Sequence, residues 1–385
     1  MTMRLLYVAN ARIPTEKAHG IAIMKACQAF VRADVKVTLV VANRKNVLPP
    51  DAHAFYEIPD PFSIVRLPTL DLFGIAGGRA IFFTQAFTFY TSLFFWTLFQ
   101  PRSQIIYTRD APVCLLSLLG FEVFLECHAA PEKGSYYWLA HLTRGVIVTA
   151  HTIGDRFIAK GFAKDKLLVR PNAVDLDTFD IAVSREESRE RLDLSPDAFV
   201  LVYTGNFTTY GEDKGLADII RALSRLPENI RALAVGGSEA DIARYAELAE
   251  KISVSARVRL IGYRPQRELA LYQKAADALL MPFPDTLHYR SNMSPIKMFE
   301  YMASKRPIIA SDLPSIREIL DNTTAFIVPP GSPQKIVEVV EKIRSDPADV
   351  EARAGRAYES VKTSHTWNAR AREILAFVEH RSNVL

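Results

Sequence analysis

The chain has 385 residues, of which 49% are hydrophobic and 23% charged, and a formal charge of +4. That length implies two or three domains, because single cores rarely grow past about 250–300 residues. The mild charge excludes a dense nucleic-acid footprint, and 17 glycines and 22 prolines without a repeat exclude a collagen-like or globally disordered chain.

The opening MTMRLLYVANARIP holds one short apolar run, at 4–9, that ends in polar residues. It is expected to be a buried first strand and lacks the pattern of an export signal. A helix follows at 20–32, with Ile23, Ala26, Cys27 and Phe30 at helical spacing, and then a strand at 36–41. Beyond an irregular piece, short apolar runs at 104–107, 123–126, 145–149 and 166–169 alternate with helical stretches such as 136–143 and 151–160. This is the order of a parallel sheet with crossover helices. The three cysteines, Cys27, Cys114 and Cys127, show no CxxC spacing, which argues against a disulfide framework or structural zinc and for a reducing compartment.

Residues 80–99, AIFFTQAFTFYTSLFFWTLF, carry no charge and many aromatics. The length would just span a bilayer, yet Gln85 and the threonines and serines dilute it. Buried helices and contact with a membrane surface are the two readings preferred over a span. Arg79 and Arg102 flank the segment, with Arg44, Lys45 and Arg66 before it, a rim suited to anionic lipid.

The pattern breaks in the highly charged stretch 175–197, and a second series begins. Strands are expected at 199–203, 230–235, 258–261, 278–281, 307–310 and 325–328. Helices are expected between them at 214–226, 239–251, 266–275 and 295–302, and three more close the chain at 333–343, 347–362 and 366–379. Two α/β domains of similar size follow, 1–178 and 196–365. A ligand is expected at the carboxyl ends of their strands, in a cleft between the domains.

Several features in the second half suit a phosphate. Asn206–Gly215, NFTTYGEDKG, puts Lys214 at the mouth of a strand–loop–helix unit, where helix amides and a point charge can hold an anion. It does not match the phosphate loop of nucleotide hydrolases. VGGS, with Gly237, is a second strand-end turn. In RSNMSPIKMFE, Arg290 to Glu300, Ser294 reads as a side-chain cap and Pro295 as the first helical residue, with Ile296 and Lys297 following. A lysine opposes the dipole at a helix start and is better tolerated with an anion present. Glu300 sits on an otherwise apolar helix, where a buried carboxylate needs partners that sugar hydroxyls or a backbone cap can supply. In the first half, His128 follows a strand end, Gly20 opens the first helix, and Arg109 ends another strand, where it can meet a phosphate or carboxylate.

Taken together, these residues resemble GT-B type glycosyltransferases, specifically the retaining family four. The resemblance covers nearly the whole chain and is strongest from Val202 to Ser311, above all in SPIKMFEYMASKRPIIASDLPSIREIL. RPNAVD, Arg170–Asp175, is similar to that family's P-N-G-V-D turn, with Ala173 in the glycine position. The resemblance implies an α/β GT-B fold, two Rossmann-like domains facing a deep cleft, with the first completed by a terminal helix at about 366–383. It implies that the second domain binds a nucleotide-diphosphate sugar, UDP or GDP, and the first an acceptor. Glu300 would meet the ribose as the second glutamate of E-x7-E. Lys214 would meet the pyrophosphate, His128 the transferred sugar and Gly20 the phosphates, while Tyr263 and Arg264 would border the base. Two positions depart from the pattern. Asn292 replaces the first glutamate of the motif, and Asn206 stands near the place of a phosphate-binding arginine, a cation that Arg290 or Lys297 can replace.

The function expected is therefore transfer of a sugar, with retention of configuration, to a lipid-linked or glycan acceptor. His128, Lys214 and Glu300 are expected at the chemistry, with Arg109 on the acceptor side. Lysines and helix amides facing the diphosphate lower the barrier as charge grows on it, so no metal and no cofactor are expected. The alternatives are a nucleotide-sugar isomerase or epimerase of GT-B type, or a non-catalytic nucleotide-sugar binding protein. The expected place is the cytoplasm, with a peripheral position on the inner face of the plasma membrane as the finer expectation.

Overall fold

The apolar runs form two parallel sheets in a computed structural model that describes residues 2–72, 79–209 and 211–382. The chain divides into two compact units: Met1–Pro171 with Trp367–Leu385, and Asn172–Thr366. The division falls at 171, ahead of the expected 178.

The sheet of the first unit has seven strands: β1 Arg4–Ala9, β2 Lys36–Ala42, β3 Ser63–Leu67, β4 Ile105–Thr108, β5 Glu122–Cys127, β6 Gly145–Val148 and β7 Leu167–Val169. Their order is β3-β2-β1-β4-β5-β6-β7, so the winding reverses between β1 and β4. β1 and β5 are almost wholly buried; the apolar run of β1 dictates it, and that of β5 is broken by the buried Glu126. β3 was not expected from sequence. It is an edge strand, mostly half-exposed, and SIVRL carries no continuous apolar run.

The first helix is Ala18–Arg32, so Gly20 lies inside its first turn and not in the loop before it. A Cβ at Gly20 would stand 2.2 Å from the Tyr56 hydroxyl and 2.6 Å from Thr15 Cγ2. Glycine there lets the preceding loop close. The Tyr56 hydroxyl accepts from the Thr15 amide at 2.6 Å and donates to its carbonyl at 2.7 Å.

The aromatic segment is one helix, Arg79–Leu98. Ile81, Gln85, Phe89, Leu93 and Thr97 form a buried row at i+4 spacing, and Gln85 donates to Asn10 Oδ1 at 2.8 Å. The opposite side leaves Phe83 and Phe87 exposed at 65% and 72%, and Phe99, just past the helix end, is exposed at 85%. One face is core, as the buried-helix reading expects, and the other is apolar surface. Among the described residues, no helix is long and apolar enough to cross a membrane. Arg79 opens the helix, and its side chain lies outside the described residues. The rim is less free than its sequence implies. Arg44 pairs with Asp71, Arg66 donates to the Pro50 carbonyl, and Arg102 lies over the Phe121 ring.

The terminal helix Trp367–Ser382 belongs to the first unit. It buries Trp367, Arg370, Ile374, Leu375 and Val378, and Phe377 stands edge-on to Phe124 of β5. Each fully buried aliphatic side chain contributes about 1.5–3 kcal/mol to this docking.

In the second unit, β8 Phe199–Thr204, β11 Ile230–Val235, β12 Val258–Ile261, β13 Ala278–Met281, β14 Ile308–Ser311 and β15 Phe326–Val328 form a six-stranded sheet. β9 Thr208–Thr209 and β10 Glu212–Asp213 pair as a small hairpin. The sheet order is β12-β11-β8-β13-β14-β15, so the winding reverses between β8 and β13. The charged stretch expected between domains is instead helix Arg185–Arg191, part of this unit. Arg185 and Arg189 both pair with the nearly buried Asp277, and Arg189 also donates to the carbonyls of Ala275, Pro196 and Ala198.

Candidate functional site

In open α/β sheets ligands bind where the winding reverses, at the carboxyl ends of the strands. In the second unit that place lies beyond β8 and β13. Gly215, at φ 93°, precedes helix Leu216–Leu223, and a Cβ there would stand 1.8 Å from the Pro282 carbonyl oxygen at the end of β13. Only glycine lets the Lys214 loop lie against this backbone. A Cβ at Gly236 would stand 2.8 Å from the Gly205 carbonyl, and one at Gly237 2.3 Å from the Phe207 ring.

Three amides of these turns are already engaged within the protein. The Gly236 and Gly237 amides donate to Ile261, and the Leu216 amide donates to Asp213 Oδ1. Gly237 thus serves close packing. Asn206 is exposed, and its carbonyl accepts from the Tyr203 hydroxyl.

The positive charge is another matter. Lys297 is buried at 9% exposure, and its Nζ has no hydrogen-bond partner. The Tyr203 ring lies beneath it, 3.6 Å from Nζ to centroid, and Gly205 is so close that a Cβ there would stand 3.5 Å from Nζ. Burial, then the neighbouring Lys214, push Lys297 well below the ordinary lysine range. Lys214 is brought down to about 8 by burial. Among the described residues neither lysine has an ion-pair partner. Two crowded lysines, with Glu300 the one carboxylate acting on Lys297, make a place where a bound anion is favoured.

Ser294 is not the helix cap that its sequence suggests. Helix Ile296–Ala303 has Pro295 at its N-cap and no side-chain cap. The Ser294 hydroxyl instead accepts from the Asn172 amide at 2.8 Å, and the Ser294 carbonyl accepts from Asn172 Nδ2 at 2.5 Å. The turn around Asn172 therefore fixes the start of this helix, whose first amides keep no side-chain partner.

Glu300 is buried on the same helix. Burial raises its carboxyl to about 7, opposed by Gln273, Lys297 and Gln266. Both glutamine amides reach it only at 3.4 Å. Gln273 also donates to Thr204 Oγ1 at the end of β8, which places Glu300 beside the reversal point. Sequence reading missed Gln273 and Thr204, whose roles depend on the fold.

Arg290 does not supply the missing cation. It is exposed and forms a two-bonded pair with Asp285. Asn292 ends the short helix Leu287–Ser291, its amide donating to His288. Tyr263 and Arg264 follow β12, and Arg264 donates to the Tyr263 carbonyl and pairs with Glu268.

In the first unit, His128 lies just past β5, partly exposed, with Nε2 2.6 Å from Glu126 Oε1. Burial, then Arg109, lower its ring to about 4. Arg109 follows β4 and reaches the His19 carbonyl at 3.5 Å. Glu126 and its partner Arg370 were not anticipated. A glutamate inside a buried parallel strand was the one available signal.

Residues 198–346 match the family described as glycosyl transferases group 1. The second unit is a group 1 glycosyl transferase domain. Lys214, Lys297 and Glu300 all lie within this group 1 domain, and His128 and Arg109 lie outside it. The D-inositol 3-phosphate glycosyltransferase of Xylanimonas cellulosilytica is 27% identical over 191 residues, 47% of this chain and 44% of that protein. The chain spans less than half the length of that curated relative. Beyond the group 1 domain, the whole chain has the GT-B fold. Sucrose-phosphate synthase from Thermosynechococcus elongatus superposes at a TM-score of 0.78, with 18% identity and 98% of each chain covered. HepE from Anabaena, solved in complex with UDP-glucose, gives 0.73 with 14% identity, covering 98% of this chain and 100% of its own.

Proposed function

We propose that this chain transfers a sugar from a nucleoside-diphosphate sugar to an acceptor, with retention of configuration. The observation that carries this reading is Lys297, a buried ammonium without a hydrogen-bond partner beside Lys214 and an uncapped helix start. A diphosphate supplies the missing counter-charge. As the bond to the anomeric carbon breaks, negative charge grows on the diphosphate, and fixed cations and amides aimed at it lower the barrier. Glu300 then accepts from the ribose hydroxyls, while His128 meets the transferred sugar and Arg109 the acceptor side. Uridine diphosphate is the first base to test, since HepE was solved with UDP-glucose; guanosine diphosphate is the second.

Calorimetry tests the diphosphate site. At pH 8, Lys214 is near half-protonated when free, and a bound anion raises its affinity for protons. Binding of nucleoside diphosphate is expected to take up protons at pH 8, seen as a dependence of heat on buffer ionisation. Lys214→Ala is expected to reduce the uptake and to weaken donor turnover by roughly 10²–10³-fold. Wild-type turnover at subsaturating donor in Lys214→Ala would refute the site. Conversion of donor alone into another nucleotide sugar would make the chain an isomerase, and binding without transfer or hydrolysis would make it a binding protein. The two lysines make a required metal unnecessary, and transfer is expected to survive a chelator; loss restored by magnesium or manganese would overturn this.

The acceptor we propose is lipid-linked or a glycan, met at an anionic membrane surface in the cytoplasm. The exposed phenylalanines of helix Arg79–Leu98 support this, since apolar side chains on one face of a helix lie favourably at a headgroup boundary. Sedimentation with anionic vesicles is expected to carry the protein down at low salt, with less bound as salt rises. Phe83→Ser with Phe87→Ser is expected to abolish the association with the fold kept. Protein left in the supernatant with every lipid mixture would remove the membrane and leave a soluble acceptor.

A further inference from the structure

Glu126 is a carboxylate one residue from the carboxyl end of the buried strand β5, with 3% of its side chain exposed. Each oxygen has a distinct set of partners. Oε1 accepts from Arg370 Nη2 at 2.8 Å and faces His128 Nε2 at 2.6 Å. Oε2 accepts from the Tyr107 hydroxyl at 2.6 Å and the Tyr7 hydroxyl at 3.4 Å. Arg370 is itself held, its Nε donating to the Pro171 carbonyl at 2.8 Å. Docking the terminal helix needs only the Arg370 contact. The bond to His128 is additional, and it is made by a ring that reaches the surface.

We propose that Glu126 is a positioning residue for His128: anchored by Arg370 and Tyr107, it fixes the imidazole as the neutral Nε2–H tautomer, so that Nδ1 meets the substrate as an acceptor from a sugar hydroxyl. This rests on the reading that places His128 at the transferred sugar. Burial alone pushes the Glu126 carboxyl up, but Arg370 and His128 hold it well below the ordinary range. An ionised carboxylate only accepts, so the hydrogen between them belongs to Nε2. Nδ1 has no hydrogen-bond partner among the described residues. The charged and titratable groups around the pair are Tyr7 of β1, Cys27 of the first helix, Tyr107 of β4, Arg109 beyond it, Cys127 of β5, and Arg370 of the terminal helix. Burial and the two arginines disfavour an imidazolium and outweigh the pull of Glu126 toward one. A neutral acceptor suits this place, because positive charge grows on the sugar ring during transfer and a second cation would oppose it.

The test uses the nitrogen-15-labelled full chain. Long-range proton–nitrogen spectra identify the tautomer, and the His128 signals are those lost in His128→Gln. At pH 7 the expected pattern is a protonated Nε2 and a bare Nδ1, unchanged on acidification to pH 5.5. Glu126→Gln combined with Arg370→Met removes the carboxylate without stranding a buried charge. It is expected to mix the two tautomers and lower kcat roughly 10²-fold, as for a group misplaced by about an ångström, with KM for the donor little changed. If that double variant does not fold, Tyr107→Phe removes one donor to the same carboxylate. It is expected to raise the His128 titration and shift the acid limb of kcat upward with it.

An imidazolium or an Nδ1–H ring at pH 7 in the wild type overturns the proposal. So does a double variant with wild-type tautomer and kcat, or a Tyr107→Phe acid limb that does not move. Full activity in His128→Gln overturns this proposal together with the placement of His128 at the sugar. Lost activity there with unaffected Glu126 variants overturns the positioning role alone.

Discussion

Replacing Lys297 with methionine is expected to raise the melting temperature of the ligand-free chain and to cut sugar transfer by roughly 10²–10³-fold. The two effects share one cause. The Lys297 ammonium is buried without a hydrogen-bond partner, and burial lowers its proton affinity well below that of a free lysine. The folded state therefore binds fewer protons at this position than the unfolded chain does. Stability is lost as pH falls below the ordinary lysine range. Methionine fills nearly the same volume, carries no charge and keeps contact with the Tyr203 ring. Relief of an unsatisfied buried polar group is worth about 1–3 kcal/mol. In a unit of this size that is about 2–4 °C for each kcal/mol. The transfer loss follows because the same charge faces the departing diphosphate. A variant with unchanged melting temperature and full turnover would show that Lys297 is neither strained nor used.

Glu300→Gln is expected to separate stability from binding in a pH-dependent way. Burial raises the Glu300 carboxyl to about 7 in the folded chain, above the ordinary glutamate value of 4.5. The folded state thus holds this proton more tightly than the unfolded state. Stability is full below about pH 4.5 and falls as pH rises toward about 7. Glutamine removes that loss, so the variant and wild type should melt alike near pH 4.5, with the variant higher above pH 7. Binding should move the other way. An ionised carboxylate accepting from ribose hydroxyls is worth roughly 1.5–3 kcal/mol, so nucleoside diphosphate should bind the variant about tenfold more weakly or worse. Between pH 6 and 7.5, where Lys214 stays mostly charged, wild-type affinity should rise more steeply than that of the variant, which keeps only the ionisation of the terminal phosphate. Equal affinity and equal melting at pH 7.5 would assign Glu300 to packing.

Much of this site was legible because its parts are local. A lysine beside a glycine at a strand end, a lysine in the first turn of a helix and a glutamate on its apolar face are patterns of a few residues. The features that were missed depend on partners far along the chain. Ser294 has every mark of a helix cap, yet Asn172, 122 positions earlier, takes its hydroxyl. Glu126 gave only the oddity of a charge inside a strand, because Arg370 stands 244 positions away. The charged stretch near 185 read as a linker, since no local pattern shows that Arg189 meets Asp277 88 positions later. Arg290 is the opposite case. Asp285 is only five positions before it, close enough to have been suspected. The faces of helix Arg79–Leu98 were hidden for another reason: phenylalanine occupies both, so periodicity carried no contrast.

Because the first unit is built from 1–171 and 367–385, the second lies within it as an insertion. During synthesis this sets an order. The second unit emerges whole from the ribosome and can complete its core while the first still waits for its last helix. Until residue 370 leaves the exit tunnel, Glu126 sits in the nascent sheet without its arginine, as a carboxylate that the apolar strands around it cannot bury cheaply. The insertion therefore gains a head start in folding, and the first unit locks only when its final segment arrives. A chain of residues 1–366 followed by a stalled linker long enough to fill the exit tunnel should protect the second unit from protease and leave the first open to cleavage.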